Sequence, residues 1–190
     1  MTAAAYATPE VGKPAPAFSA VDSNGKSVKL SDYRGKTVVL EWTNDGCPYV
    51  KKHYASNNMQ ILQKEEAAKG IVWLTIISSA PGSQGYMTGD EANKLTETRG
   101  AAPSAVVLDP EGAVGHLYDA RTTPHMFIVN GEGALVYMGG IDDKATTAVE
   151  DIKTAKNYVR AALDDLAAGA PVENAVTRPY GCSVKYKPDS

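Results

Sequence analysis

Hydrophobic and polar positions along the chain alternate between two kinds of pattern. Residues 37–43 (TVVLEWT) form a β-branched and aromatic run with one carboxylate inside it, and residues 71–77 (IVWLTII) are almost continuously apolar. Runs of that length predict strands, and strands lacking a polar face belong to a parallel sheet covered on both sides. Between them Val50, Tyr54, Ile61 and Leu62 recur at helical spacing, from Cys47-Pro48 until Lys69-Gly70 stops the pattern. The stretch therefore predicts strand, tight turn, helix and strand, a βαβ unit.

The flanking segments are shorter. Residues 11–33 are polar and turn-rich, and Asp22-Ser23-Asn24-Gly25 between short alternating runs predicts a hairpin. Residues 80–104 read as loop with one short helix over 90–98, capped by Asp90 and ended at Gly100. A third strand follows at 105–109, a turn and helix at 111–118, and then a hairpin of 126–129 and 134–138 across Gly131-Glu132-Gly133. Val149, Ile152, Lys156, Val159, Leu163 and Leu166 mark one long amphipathic helix that needs a sheet to cover. Beyond Gly169-Ala170-Pro171 no period remains. The organisation read from this is a flexible N-terminus (1–10), one α/β domain (11–168) and a C-terminal tail (169–190) carrying Cys182.

A chain of 190 residues buries a core for one domain without disulfide staples. Its net charge of −3, from 19 basic and 22 acidic residues without a block of like sign, supplies no footprint for nucleic acid or an anionic membrane surface. The longest apolar runs are far too short to span a bilayer, so the chain reads as soluble, acting on small molecules or proteins. Three scattered histidines (His53, His116, His125) and two cysteines at no ligand spacing predict no metal site and no bound cofactor. Ala5-Tyr6-Ala7 has the small-x-small form of a signal-peptidase site without an apolar stretch before it. It reads either as the remnant of an export signal, and hence a bacterial periplasmic protein, or as an Ala-rich tail of a cytoplasmic one.

With only two cysteines, their role is individual and chemical. Cys47 stands where a buried strand turns into a helix, and free N–H groups at a helix start favour the reactive thiolate. Pro48 suits the first helical turn, where its missing N–H has no partner, and Asp45-Gly46 supplies the sharp turn. Glu41 lies inside the first buried strand. A buried carboxyl tends to have a raised pKa suited to exchanging protons with a thiol, though an ion pair with a lysine of the neighbouring helix is an equal reading. Thr123-Pro124 opens an apolar strand, a place where proline holds a turn, at times in cis. His125 reads as a hydrogen-bonded surface histidine.

Together these segments resemble the redoxin superfamily. The resemblance rests on residues 11–18 (VGKPAPAF), 30–40 (LSDYRGKTVVL), 46–51 (GCPYVK), Thr123-Pro124, 135–143 (LVYMGGIDD) and 178–186 (RPYGCSVKY). The nearest group is the peroxiredoxin-like thioredoxin-family proteins related to alkyl hydroperoxide reductase and thiol-specific antioxidant enzymes. It implies a thioredoxin-like α/β fold with an N-terminal extension, a mid-chain insertion and a C-terminal tail. It also implies that Cys47 is the redox-active cysteine, that Thr123 and a cis Pro124 sit against it, and that Glu41 is the buried acid. Two departures stand out. Val50 occupies the place of a thioredoxin's second cysteine, and Val39, Thr43 and Asn44 stand where the peroxiredoxin proline and threonine would be. The expected activity is thus a thiol oxidoreductase with Cys47 attacking a peroxide or a disulfide and Cys182 resolving the product, served by an external thiol reductant. The alternatives are a disulfide reductase or isomerase working from Cys47 alone, and a redoxin-fold binding or chaperone-like module without turnover.

Overall fold

The computed structural model describes residues 8–188, so the Ala5-Tyr6-Ala7 stretch lies outside the described residues. The chain begins with the hairpin β1 (Ser19–Asp22) and β2 (Ser27–Lys29), then β3 (Val38–Trp42), α1 (Pro48–Ala55), α2 (Asn58–Ala68) and β4 (Val72–Ile77). It continues through α3 (Gly89–Thr98), β5 (Ala105–Leu108), α4 (Ala113–Leu117), β6 (Thr122–Thr123), β7 (His125–Val129) and β8 (Leu135–Gly139). It closes with α5 (Tyr158–Ala167) and β9 (Cys182–Ser183). Seven strands make one sheet in the order β2-β1-β5-β4-β3-β7-β8, and β6 pairs with β9 in a small second one. β3, β4 and β5 run parallel, β7 adds antiparallel to β3, and β8 adds antiparallel to β7. This is a thioredoxin-like α/β fold.

β3 and β4 bury every residue because both faces are covered. Alternation along β3 sends Val38, Leu40 and Trp42 into one core with Leu74, Ile76, Phe127 and Tyr118. Val39 points the other way, into the core that Trp73, Met126 and Ile128 share with Val50 and Leu62 of α1 and α2 and with Val159 and Leu163 of α5. By the same alternation Glu41 lies on the face covered by α1 and α2.

Four expectations need correction. The helix read from Cys47 to Lys69 is two helices, because Asn57 takes a left-handed conformation (φ 59°) that interrupts the hydrogen-bond ladder. After that break Met59 and Leu62 turn inward while Ile61 faces solvent. α3 is capped by Thr88 rather than Asp90: the Thr88 hydroxyl accepts from the Glu91 N–H and the Glu91 carboxylate accepts from the Thr88 N–H, a reciprocal pair. The long helix expected from Val149 is only α5; Asn157, whose side chain accepts from the Arg160 N–H, starts it afresh, and residues 149–153 form a separate short turn.

The tail, in which the sequence shows no period, is pinned along its length. β9 pairs with β6 in the register Thr123 opposite Cys182. The Val184 N–H donates to the Arg121 carbonyl at 3.0 Å, and the Ala80 N–H donates to the Lys185 carbonyl at 2.8 Å. The Tyr186 hydroxyl donates to the Ala120 carbonyl at 2.6 Å, its ring stacked on His116. That ring passes over Gly115, where an added Cβ would come within 2.4 Å of its hydroxyl. A two-residue strand has no room to show alternation, so its partner cannot be read locally.

Candidate active site

Cys47 caps α1, with Pro48 as the first helical residue. The turn into it is built by Asn44, whose carbonyl accepts from the Cys47 N–H and whose side-chain oxygen accepts from the Gly46 N–H at 2.8 Å. A Cβ at Gly46 would meet the exposed Gln84 side chain at 2.5 Å, so the turn packs closely under that side chain. The Cys47 thiol is fully buried and donates to the Thr123 carbonyl at 3.2 Å. The Thr123–Pro124 peptide bond is cis. Thr123 in turn donates its hydroxyl to the Cys182 carbonyl at 3.4 Å, so it touches both cysteines.

Both cysteines are free thiols, near enough that each bears on the other's ionisation. Burial on its own would push the Cys47 pKa up. Hydrogen bonds from the Cys182 thiol, the Val50 N–H, the Cys182 backbone and Thr123 outweigh it and hold the Cys47 thiol below its ordinary pKa. Cys182 is only partly buried, and burial together with its hydrogen bond to Cys47 and that group's charge push its pKa up to about 11. Of the two, Cys47 is the one that loses its proton first.

Glu41 is fully buried, and no lysine meets it. Its Oε1 accepts from the Tyr54 hydroxyl at 2.7 Å; its Oε2 accepts from Trp73 Nε1 at 2.8 Å, Thr75 Oγ1 at 3.2 Å and Gln63 Nε2 at 3.3 Å. Burial raises its pKa, against those donors and the charge of Arg99, which stacks on the Tyr54 ring at 4.1 Å. None of these bonds reaches either sulfur, so Glu41 ties β3 and β4 to α1 and α2 beneath the turn that carries Cys47.

A second buried polar group went unread. Lys52 and His53, one helical turn or so past Cys47, both point inward. His53 Nε2 lies 3.1 Å from the Tyr180 hydroxyl, which donates to Asp142 Oδ1 at 2.5 Å; Asn58 Nδ2 lies 2.9 Å from His53 Nδ1. Lys52 Nζ donates to the Lys144 carbonyl at 2.7 Å and sits 3.9 Å from Asp142 Oδ2. Burial, with the Lys52 charge beside it, takes the His53 pKa down to about 3, so the ring is neutral and donates from Nε2 to Tyr180. Tyr180, which also packs edge-on against Tyr49, thereby fastens the tail two residues before Cys182 to the helix that starts at Cys47. One signal for the cluster was present: Val50, His53 and Tyr54 share a helix face at i, i+3 and i+4. His125, read as a surface residue, is buried instead; its Nδ1 accepts from the Arg121 N–H at 3.2 Å and it makes no contact with Cys47 among those described. Among the described residues no group of three potential ligands could hold a metal ion, and no helix is long and apolar enough to cross a membrane.

A protein-family model described as AhpC/TSA matches residues 11–138. The thiol-disulfide oxidoreductase ResA of Bacillus subtilis is 30% identical over 125 residues, covering 66% of this chain and 64% of that protein, so the chain spans under two thirds of that relative's length. Among solved structures, an uncharacterized conserved protein from Geobacillus kaustophilus superposes with a TM-score of 0.80 at 28% identity, over 95% of this chain and 94% of that one. The thioredoxin domain of a thiol-disulfide oxidoreductase from Bacteroides vulgatus superposes at 0.55 and 21% identity, over 75% of this chain and 96% of that one. Cys182 falls outside the segment that the family model matches.

Proposed function

Because the chain belongs to the AhpC/TSA family, we propose that it is a thiol-disulfide oxidoreductase that cycles between the Cys47/Cys182 dithiol and an intramolecular Cys47–Cys182 disulfide. The observation that carries this reading is the pairing of the two thiols across Thr123, with Cys47 at a helix start and below its ordinary pKa. A low-pKa thiolate held against a second sulfur closes a disulfide without a large chain movement. In the oxidising direction a substrate disulfide takes up two electrons, its sulfurs leave as thiols, and the protein is left with the Cys47–Cys182 bond. An external thiol reductant reverses the step.

The supporting residues take these roles in the proposal. Pro48 starts α1 without a wasted N–H, Thr123 and Pro124 form the wall against which the Cys47 sulfur rests, and Glu41, its pKa raised by burial, ties α1 from below through the Tyr54 hydroxyl. Disulfide exchange is favoured over peroxide reduction by the likeness to a Bacillus subtilis thiol-disulfide oxidoreductase and by the departures before Cys47, where Val39 takes the place of the peroxiredoxin proline and Asn44 stands three positions back, with Thr43 one further.

The test is a redox titration of the purified protein in glutathione buffers, with peptide mapping of the oxidised form. The expected result is a single two-electron transition to a monomer carrying Cys47–Cys182, and faster oxidation by disulfides than by hydrogen peroxide. An intermolecular bond, or Cys47 oxidised to the sulfinic acid while Cys182 stays free, would overturn the reading.

A further inference from the structure

The two sulfurs differ in access, and the difference runs opposite to their reactivity as thiols. Cys47 is sealed: no part of it reaches solvent, Thr123 covers its sulfur, and the tail strand lies across it. Cys182 is partly exposed, and the residue before it, Gly181, lines an open groove of about 510 Å3. Thr122, Asp142, Tyr158, Arg178, Tyr180 and Gly181 line the groove. Thr122 lies opposite Ser183 in the β6–β9 pair, and Gly181 directly precedes Cys182.

Resting on the reading above, we propose that exchange with outside partners passes through Cys182: the mixed disulfide with a partner thiol forms on the Cys182 sulfur, and Cys47 never bonds to the partner. An incoming thiolate attacks the Cys182 sulfur of the Cys47–Cys182 bond. The new partner–Cys182 bond forms as the Cys47–Cys182 bond breaks, and Cys47 leaves as the thiolate. The second thiolate of a partner dithiol then attacks the partner's own first sulfur, and Cys182 departs and takes a proton. Two electrons have moved from the partner's two thiols to the protein's two cysteines. In the opposite direction Cys182 gives up its proton and attacks the substrate disulfide, whose S–S bond breaks as the first substrate sulfur leaves and takes a proton; the Cys47 thiolate then attacks the Cys182 sulfur and expels the second substrate sulfur as the Cys47–Cys182 bond forms.

Attack on a disulfide is fastest where the attacked sulfur is reachable and the departing sulfur has the lower pKa. Here Cys182 is the partly exposed one, and Cys47, at a helix start with the Val50 N–H and Thr123 lowering its pKa, is the better leaving group, whereas burial raises Cys182. Attack at Cys47 would need the tail lifted from Thr122 and Thr123, from Ala80 and from the Tyr180 cluster, and would expel the poorer leaving group.

The oxidised wild-type protein, reacted briefly with glutathione and quenched in acid, tests this by peptide mapping. Glutathione on Cys182 with Cys47 as the free thiol is the expected result; glutathione on Cys47 with Cys182 free overturns the proposal. A second measurement uses Cys47→Ser carrying thionitrobenzoate on Cys182 and Cys182→Ser carrying it on Cys47. Release by dithiothreitol is expected at least roughly tenfold faster from Cys182, and equal or inverted rates count against the assignment. If the oxidised protein contains no Cys47–Cys182 bond at all, the functional reading falls and takes this one with it; if the bond is present and the adduct sits on Cys47, only the present inference falls.

Discussion

Two buried carboxylates flank α1, and they are satisfied to different degrees. Glu41 accepts from four donors on β4, α1 and α2, which occupy both of its oxygens. Asp142 accepts from the Lys144 N–H and the Tyr180 hydroxyl on one oxygen, and its other oxygen has no hydrogen-bond partner, with Lys52 and His53 each 3.9 Å away. All of Glu41's partners belong to the domain's own layers, whereas Asp142 depends on a residue of the C-terminal tail. A closed network of this kind rigidifies its surroundings, and a partly closed one is where the structure opens first. The comparison teaches that the platform under Cys47 and the cover over it are held by separate polar groups, the cover by the weaker.

The largest effect that sharpens this contrast is expected from Glu41→Leu. It takes the acceptor from Trp73, Tyr54, Thr75 and Gln63 together, and unsatisfied buried donors make the loss about 4 kcal/mol by denaturant titration. A loss below about 1 kcal/mol would mean the network is replaceable and the two sites are alike. Tyr180→Phe comes next. Removing the hydroxyl between His53 and Asp142 is expected to lower stability by about 2 kcal/mol and to speed alkylation of Cys47 in the reduced Cys182→Ser background by roughly tenfold, because the tail opens more often. Unchanged alkylation would show that β9 alone keeps the cover shut.

The third prediction concerns pH. The His53 pKa is about 3 in the folded protein against 6.5 as the ordinary value, so between them the unfolded chain binds the extra proton and stability falls as pH falls. Across that window His53→Gln is expected to lose stability less steeply than wild type, by about 1.4 kcal/mol per pH unit. Parallel slopes would place the histidine outside a closed cluster. The smallest effect is expected from Glu41→Gln. The amide oxygen can keep the three donors at Oε2 while the Tyr54 hydroxyl turns to accept from the amide nitrogen, so stability changes by less than about 1 kcal/mol. The redox step is expected to slow, because the amide cannot exchange a proton, and an unchanged rate would leave Glu41 with the platform role alone.

What the amino-acid sequence determined by itself was most of what near neighbours govern. The continuous apolar runs of β3 and β4, the Cys47-Pro48 entry to α1 and the burial of Glu41 follow from periods and turn chemistry within a few residues. The errors were of the same short range: Asn57 in a left-handed conformation, Thr88 outcompeting Asp90 as a cap, and Asn157 restarting a helix, each a local choice that two readings fitted. Tertiary structure alone decided how the tail is used. His53 and Tyr180 stand 127 positions apart, and Thr123 and Cys182 stand 59 apart. No period links such pairs, and the tail's strand is too short to declare its partner. Residues of the tail acquire their roles from the edge on which they land, and that edge exists only once the domain has folded.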